Sequence, residues 1–185
     1  MVTRTEATIE DLYNAPQDDG TYELVNGELV RMSPTGFAPS RVAGQIYRFL
    51  AAYEEVMGSG YALSDNTGYV VNLPRRKSFS PDASYALHAP DDRMRFIEGA
   101  PIFAAEVRSE YDYSPAAARA YTAKRRDYFA AGTLVVWDVG LVNKTIASYR
   151  ADQPDTPTRF AIGDTADAEP ALPGWRVAMS AIFKT

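Results

Sequence analysis

Polar and apolar side chains alternate along residues 22–31, around a central Asn-Gly pair. Strict alternation is typical of a strand with one buried face, and Asn-Gly is favoured in a two-residue type I′ turn. We therefore predict a β-hairpin here. A two-residue loop would pair Val25 with Glu28 and Glu23 with Val30, so that two carboxylates share one face with apolar groups.

Two longer stretches have apolar residues at helical spacing, which predicts amphipathic helices. The first covers about residues 40–57 and is ended by a Gly-Ser-Gly stretch. The second begins with Ser114 as the N-cap and Pro115 in the first helical position, and it ends before Gly132. Serine is favoured as a cap because its hydroxyl accepts from a free N–H, and proline fits the first turn because it lacks that N–H.

Nearly continuous apolar runs over residues 102–107 and 133–139 predict strands that are buried on both faces of a sheet. The second helix lies between them, and this order of elements predicts a parallel pair with a right-handed crossover. Another strand is predicted over residues 83–88. Residues 144–149 are predicted to form an edge strand, followed by a loop rich in Pro and Asp over residues 151–158.

The chain has 185 residues, which predicts a single domain over residues 1–185, and its 46% hydrophobic content is enough for a buried core. The net charge of −5 argues against tight, charge-driven binding along duplex DNA, because such affinity comes from neutralised phosphates. No apolar stretch is long enough to span a membrane, and the N-terminus lacks a signal-peptide core. We therefore expect a cytoplasmic protein with no membrane partner.

Cysteine is absent and His88 is the only histidine. This composition excludes disulfides, thiol catalysis and cysteine-bound metal centres, and it leaves a Ser-His-Asp triad only one histidine to use. Any chemistry must therefore rest on carboxylates, amines and a bound metal.

Lys124 shares a stripe of the second helix with Tyr121 and Tyr128, because residues three and four apart lie on one helix face. That stripe is the apolar one, where an unpaired charge would be costly to bury. The acids at the ends of the neighbouring strands are candidate partners. The alternative is that the lysine extends past the tyrosines to solvent, and the spacing alone does not decide between the two.

Asp82 and Glu106 stand at strand ends, where a single acid is usually a turn former or a surface charge. Together their oxygens suit Mg²⁺ or Mn²⁺. Such a metal polarises a phosphate and lowers the pKa of a bound water, and Lys124 would orient that water or stabilise developing charge. Side chains alternate along a strand, so Arg108 is expected to point in the same direction as Glu106.

Segments in a fixed order carry a resemblance to a known family. They include Tyr22-Glu23-Leu24-Val25-Asn26-Gly27-Glu28-Leu29-Val30, Ser80-Pro81-Asp82-Ala83-Ser84, Ala105-Glu106-Val107-Arg108-Ser109 and Val136-Trp137-Asp138-Val139. Over nearly the whole chain the sequence resembles the Uma2 family, which has the restriction-endonuclease-like PD-(D/E)xK fold. The resemblance implies a mixed α/β (α+β) fold, with a mixed central β-sheet flanked by two long helices and an N-terminal β-hairpin.

The resemblance also implies a site. In it Asp82 and Glu106 are metal ligands, the main-chain carbonyl of Val107 is a third ligand, and Glu28 faces the same site.

The chain departs from the pattern of the fold at one position. A lysine is expected two residues after the second acid, where this sequence has Arg108. Arginine supplies charge and hydrogen bonds but does not readily give up a proton. We therefore expect Lys124 to take the role of that lysine, and Arg108 to contact a phosphate.

Two main hypotheses follow. The first is a Mg²⁺- or Mn²⁺-dependent DNA endonuclease that hydrolyses phosphodiester bonds, with DNA as its partner. A homodimer fits this hypothesis, because fold relatives that cut both strands commonly pair. The second is a binding or regulatory module that keeps the fold without efficient catalysis, as the net charge and Arg108 suggest. A weaker third is a subunit whose partner supplies DNA binding.

Other residues are weaker candidates for contacts with nucleic acid. A basic loop is more often merely solvated, and the same holds for cations around Lys124. These candidates are Arg75, Arg76, Lys77, Arg119, Arg125 and Arg126, together with Gln45 from the first long helix.

Overall fold

The computed structural model describes residues 6–16 and 20–184. The helices are α1 (Ile9–Tyr13), α2 (Phe37–Met57), α3 (Pro115–Ala130) and α4 (Met179–Ile182), with a 3₁₀ turn at Glu110–Tyr113. The strands are β1 (Tyr22–Val25), β2 (Glu28–Arg31), β3 (Tyr61–Ser64), β4 (Tyr69–Val70), β5 (Ser78–Phe79), β6 (Ala83–Ala86), β7 (Ile97–Glu98), β8 (Phe103–Val107), β9 (Val135–Gly140), β10 (Thr145–Arg150), β11 (Gln153–Phe160), β12 (Thr165–Asp167) and β13 (Arg176–Ala178). Within these described residues, no helix combines the length and the apolar character needed to cross a membrane.

The centre of the fold is a mixed sheet of six strands in the order β11-β10-β9-β8-β6-β3. Strands β8 and β9 are parallel and α3 connects them, which confirms the predicted strand-helix-strand unit. The other neighbours in this sheet are antiparallel. Within the described residues, three smaller sheets contain β1 with β2, β4 with β5 and β7, and β12 with β13.

Side chains of β8 alternate between two cores, as the pleat of a strand requires. Phe103 and Ala105 belong to the larger core, which also contains the apolar face of α2. Ala104 points the other way and packs in the core that contains Tyr128 of α3. The two long helices therefore cover opposite faces of the sheet, as expected, and Glu106 continues the face that α3 covers.

The N-terminal hairpin forms with the predicted register between β1 and β2. Asn26 and Gly27 have φ angles of 51° and 71°, the positive values that a type I′ turn requires of both central residues. The other edge of β1 is joined to residues 75–77, where the Lys77 N–H donates to the Leu24 carbonyl over 2.9 Å. The hairpin is thereby fixed beside the basic loop.

Both long helices begin close to their predicted positions. The α3 helix starts at Pro115, and the Ser114 hydroxyl accepts a hydrogen bond from the Ala117 N–H at 3.1 Å. The α2 helix starts at Phe37 rather than near residue 40, and it ends at a glycine in the left-handed region.

The C-terminal part of the sheet differs from the prediction. Strand β10, expected at an edge, lies inside the sheet, and β11 forms the edge, mostly from residues predicted as a loop, although a short strand was predicted over residues 158–162. Pro154 and Pro157 give β11 the composition of a loop. An edge strand tolerates proline because the N–H that proline lacks would face solvent.

Candidate active site

Two neighbouring antiparallel strands bring Asp82 and Glu106 together. Ala83 of β6 pairs with Ala105 of β8, and the Asp82 N–H donates to the Ala105 carbonyl over 3.1 Å. The same register sets Asp82 opposite Glu106, on the face of the sheet that α3 covers. The Asp82 carboxylate is further fixed at Oδ2, which accepts a hydrogen bond from the Val107 N–H at 2.6 Å.

Helix α3 supplies two partners to the carboxylate of Glu106, a residue that is only 8% exposed. The Lys124 ammonium donates to Oε2 at 2.8 Å, and the Tyr128 hydroxyl donates to Oε1 at 2.7 Å. Lys124 and Tyr128 are four residues apart, so both reach Glu106 from one stripe of the helix. The stripe predicted from sequence therefore does face the acids.

Lys124 points inward, so the alternative in which it extends to solvent is wrong. Its Nζ atom lies 2.8 Å from Glu106 and 3.0 Å from Glu23 Oε1, and its side chain is 13% exposed. Burial alone would lower the pKa of the ammonium group, but the two carboxylates outweigh it and raise the pKa above its ordinary value. Lys124 is therefore a protonated cation at neutral pH.

Glu23 is the buried acid that completes this network. Its Oε1 accepts a hydrogen bond from the Ser80 N–H at 3.0 Å, and its Oε2 lies 2.5 Å from Nη1 of Arg76. Burial opposes ionisation of Glu23, but Lys124 and Arg76 together lower its pKa. Arg76 also contacts Asp127 of α3, with Nε 2.9 Å from Oδ2. Charges of alternating sign thus link the hairpin, the basic loop and α3.

These groups open into a cavity of about 390 Å³, which Glu23, Asp82, Glu106 and Lys124 line together with Tyr111. A second cavity of about 430 Å³ contains Asp65 and shares Asp82 and the loop over residues 32–35 with the first. The two cavities therefore meet at Asp82 and this loop.

Electrostatics make Asp82 unusual among the acids of the cavity. Burial and the nearby negative charge of Glu106 raise its pKa to about 7, although the Val107 N–H and Lys124 act in the opposite sense. Burial likewise raises the pKa of Glu106, with Glu23 adding to it and Lys124 opposing it. The two acids therefore lie in a setting where an added cation would stabilise both charged forms.

Arg108 does not reach the cavity as a free phosphate contact. Its Nε and Nη2 atoms donate to the two oxygens of Asp138 over 2.6 Å each, and Nη1 donates to the Asp112 carbonyl over 2.8 Å. The guanidinium group also lies 4.7 Å from the ring centroid of Tyr121. The expected phosphate role is thus corrected: the arginine fork is matched by a carboxylate on the adjacent parallel strand.

Glu28 is likewise placed differently from the expectation. It is exposed at the start of β2 and is not among the residues that line the cavity. Glu23 from the same hairpin face lies there instead. Pairing with a central Asn-Gly turn puts Glu28 at the turn end of the hairpin and Glu23 nearer its open end.

The weaker candidates occupy several environments. Arg125 is buried, with its guanidinium 3.5 Å from the ring centroid of Tyr149, and Arg126 forms an exposed ion pair with Asp155. Gln45 accepts a hydrogen bond from Arg48 on the exposed side of α2. None of these side chains lines the cavity, and neither does Arg75. His88 is exposed.

Sequence reasoning missed Glu23 and Arg76 as members of the site. Glu23 lay on the predicted carboxylate face of the hairpin, so a signal was present. Arg76 lies in a run of three basic residues and gave no sign that it would be buried. Its burial depends on the contact between β1 and the basic loop, which is distant in sequence.

The donor set fits a divalent cation of the Mg²⁺ type. Among the described residues there is no group of three or more His, Cys, Asp and Glu side chains arranged for a metal. Mg²⁺ needs only one or two carboxylates, because it keeps several waters. Within the same described residues, the Val107 N–H is the one donor that bonds the Asp82 carboxylate, and it uses only Oδ2.

Comparison with known proteins agrees with this architecture. The model of the Uma2 family, described as "Putative restriction endonuclease", matches residues 9–180. A crystal structure described as "a putative nuclease belonging to DUF820", from Anabaena variabilis ATCC 29413, superposes with a TM-score of 0.76. It covers 95% of this chain and 97% of that chain at 15% identity, a level at which the likeness concerns the fold. No curated protein matches the sequence.

Proposed function

The chain belongs to the Uma2 family of restriction-endonuclease-like proteins, and from that premise we propose that its cavity hydrolyses phosphodiester bonds of DNA with the help of Mg²⁺ or Mn²⁺. The observation that carries the proposal is the contact of Lys124 with Glu106, 2.8 Å between Nζ and Oε2, beside Asp82 on the adjacent strand. This contact supports the view that a helix lysine replaces the one missing at Arg108.

Asp82 and Glu106 are the side chains that would hold the metal. Both oxygens of Glu106 accept one hydrogen bond each, and a carboxylate oxygen has a second lone pair for coordination. The Val107 N–H points towards Asp82, and the N–H and C=O of a strand residue point to the same side. That geometry supports the Val107 carbonyl as a third ligand. When bound, the metal would polarise the phosphate and lower the pKa of a coordinated water.

Lys124 acts as a donor and a cation in this proposal. Its raised pKa keeps it protonated, so it would orient the attacking water or stabilise charge on the scissile phosphate rather than accept a proton. Glu23 contacts Lys124 and so positions the amine. Tyr128 contacts Glu106 and so positions the acid. In the reaction, water attacks phosphorus and one P–O ester bond breaks, leaving a phosphate monoester and a hydroxyl group.

The test is metal-dependent nicking of a supercoiled plasmid by the purified full chain. We expect Asp82→Asn, Glu106→Gln and Lys124→Met each to lose nicking in Mg²⁺ and Mn²⁺. Asp91→Asn is the matched control, because Asp91 is an exposed acid away from this cavity. Cleavage that is equal in the control and in the Asp82 and Glu106 variants would assign the activity to another site or to a contaminant.

A nuclease-fold binding module is the second candidate. The observation that favours it is the full engagement of Arg108 by Asp138 and Asp112, which removes the cation from the position where the fold pattern expects lysine. Titration calorimetry with Mn²⁺ separates the candidates. Saturable binding that is lost in Asp82→Asn favours the metal-dependent enzyme, and no binding favours the module.

A further inference from the structure

Tyr111 combines high exposure with a place at the cavity. The residue is 84% exposed, yet it lines the same cavity as Asp82, Glu106 and Lys124. Large aromatic side chains contribute most when they bury their faces, so an aromatic ring left in solvent beside a polar cavity has an unused binding surface.

The turn that carries Tyr111 is firmly held. Oδ2 of Asp112 accepts hydrogen bonds from the Ser109 N–H and hydroxyl at 2.7 Å each, and from the Tyr121 hydroxyl at 3.2 Å. On the other side, the Tyr113 hydroxyl accepts from the Leu141 N–H at 2.9 Å. The neighbours of Tyr111 are thus anchored while its own ring projects. A pre-ordered aromatic loses little conformational entropy on binding.

The charge of the cavity is poorly suited to hold a DNA backbone by itself. Its described lining includes four acidic and three basic residues. Two of the three cations, Arg76 and Lys124, already form ion pairs with buried carboxylates. Because the whole chain also has a net charge of −5, phosphate contacts offer little affinity, and contacts with the bases become more important.

We propose that Tyr111 is a stacking platform for a nucleobase at the mouth of the cavity, so that the substrate is single-stranded or locally unpaired DNA. The proposal rests on the proposed function, because it names the substrate class of that cavity. A ring at the rim can stack only on a base whose face is accessible, and in an intact duplex those faces are covered by neighbouring bases. Stacking of this kind needs no particular base, since every base has a π-face.

The test is binding of a fluorescein-labelled single-stranded oligodeoxynucleotide and of its blunt duplex, followed by fluorescence anisotropy in EDTA and again in Ca²⁺. The wild type should bind the single strand at least about tenfold more tightly than the duplex. Tyr111→Ala should weaken single-strand binding by about tenfold, in line with loss of one base–aromatic stack, and duplex binding by less than about twofold. Tyr111→Phe should bind like the wild type, because it keeps the ring.

Two controls test whether the loss of binding is specific to Tyr111 and whether the variant keeps its fold. Tyr47→Ala removes another exposed tyrosine, on α2, that does not line the cavity, and it should leave binding unchanged. The thermal midpoint of Tyr111→Ala should match that of the wild type, since the ring is not buried. Single-strand binding that is unaffected by Tyr111→Ala, or a preference for duplex, would overturn the proposal.

The outcome is separable from that of the proposed function. If Tyr111-dependent binding to single strands occurs without any cleavage that depends on Asp82, the nuclease proposal fails and the stacking platform stands. If cleavage depends on Asp82 but Tyr111→Ala binds and cleaves single strands like the wild type, the platform fails and the nuclease proposal stands.

Discussion

The Lys124 ammonium contacts the Glu23 carboxylate across the interface between α3 and β1, with 3.0 Å between Nζ and Oε1. The same ammonium lies 2.8 Å from Glu106. Lys124 is therefore held between two carboxylates, one from the central sheet and one from the hairpin. The position of the amine depends on Glu23 as much as on Glu106, which gives the hairpin a direct connection to the proposed chemistry.

The first prediction compares the two acids of the hairpin. Glu23→Gln should lower nicking by about tenfold or more, because it removes one of the two carboxylates that hold the Lys124 ammonium in place. Glu28→Gln should leave nicking unchanged, since Glu28 is exposed and does not line the cavity. Initial rates on plasmid DNA in Mn²⁺ provide the measurement. A large loss of nicking rate in Glu28→Gln, with no loss in Glu23→Gln, would instead support the expectation from sequence that Glu28 faces the site.

The second prediction concerns the stability of the buried charges. Lys124→Met should lower the free energy of unfolding by about 3 kcal/mol, because it leaves Glu23 and Glu106 buried without their shared cation. Urea denaturation of the metal-free protein provides the measurement. A triple variant that combines Lys124→Met with Glu23→Gln and Glu106→Gln should recover much of that loss, because it also removes the uncompensated charges. A single variant as stable as the wild type would contradict the proposed pairing.

The third prediction concerns Arg108 and separates a scaffold role from a phosphate contact. Arg108→Lys should lower the free energy of unfolding by about 2 kcal/mol, since lysine cannot reproduce the two-pronged contact with Asp138. The dependence of DNA affinity on salt should stay unchanged. A lost phosphate contact would instead reduce the slope of log affinity against log salt by about one.

Asp138→Asn is the matched control for this measurement. It breaks the same ion pair from the other side and should match Arg108→Lys in stability and in salt slope. Arg108→Lys with full stability and a reduced slope would return Arg108 to the role of a phosphate contact.

Local patterns in the sequence were enough for much of the fold. The hairpin needed only its Asn-Gly turn, and α3 needed only Ser114 and Pro115 at its start, so both formed where predicted. Helical spacing placed Lys124 on one stripe with Tyr121 and Tyr128 but left its direction open, and its place in the site was expected from the family resemblance. The first part of strand β11 was missed because its prolines resemble those of a loop, and only its pairing with β10 reveals an edge strand.

The errors at the site come from contacts between elements that are distant in sequence. Arg108 was expected to point like Glu106, and it does lie on that side, but its partner Asp138 is supplied by the next parallel strand. Arg76 seemed a solvated member of a basic run, but the docking of β1 on that loop buries it against Glu23. Charge type and spacing indicated which residues carry chemistry, but not which of them neutralise one another.

The last prediction uses the raised pKa of Asp82, which lies near 7 instead of the ordinary 3.8 because of burial and the charge of Glu106. Between about pH 4 and pH 7 the folded protein therefore holds a proton that the unfolded chain releases, so this residue makes the free energy of unfolding fall as pH rises. Asp82→Asn has no such proton and should be less sensitive to pH across this window, whereas Asp91→Asn should keep the wild-type slope. Urea denaturation in EDTA at a series of pH values measures the difference. Curves for wild type and Asp82→Asn that stay parallel from pH 4 to pH 7 would show that Asp82 is ionised throughout, and that burial and the charge of Glu106 do not raise its pKa in the metal-free protein.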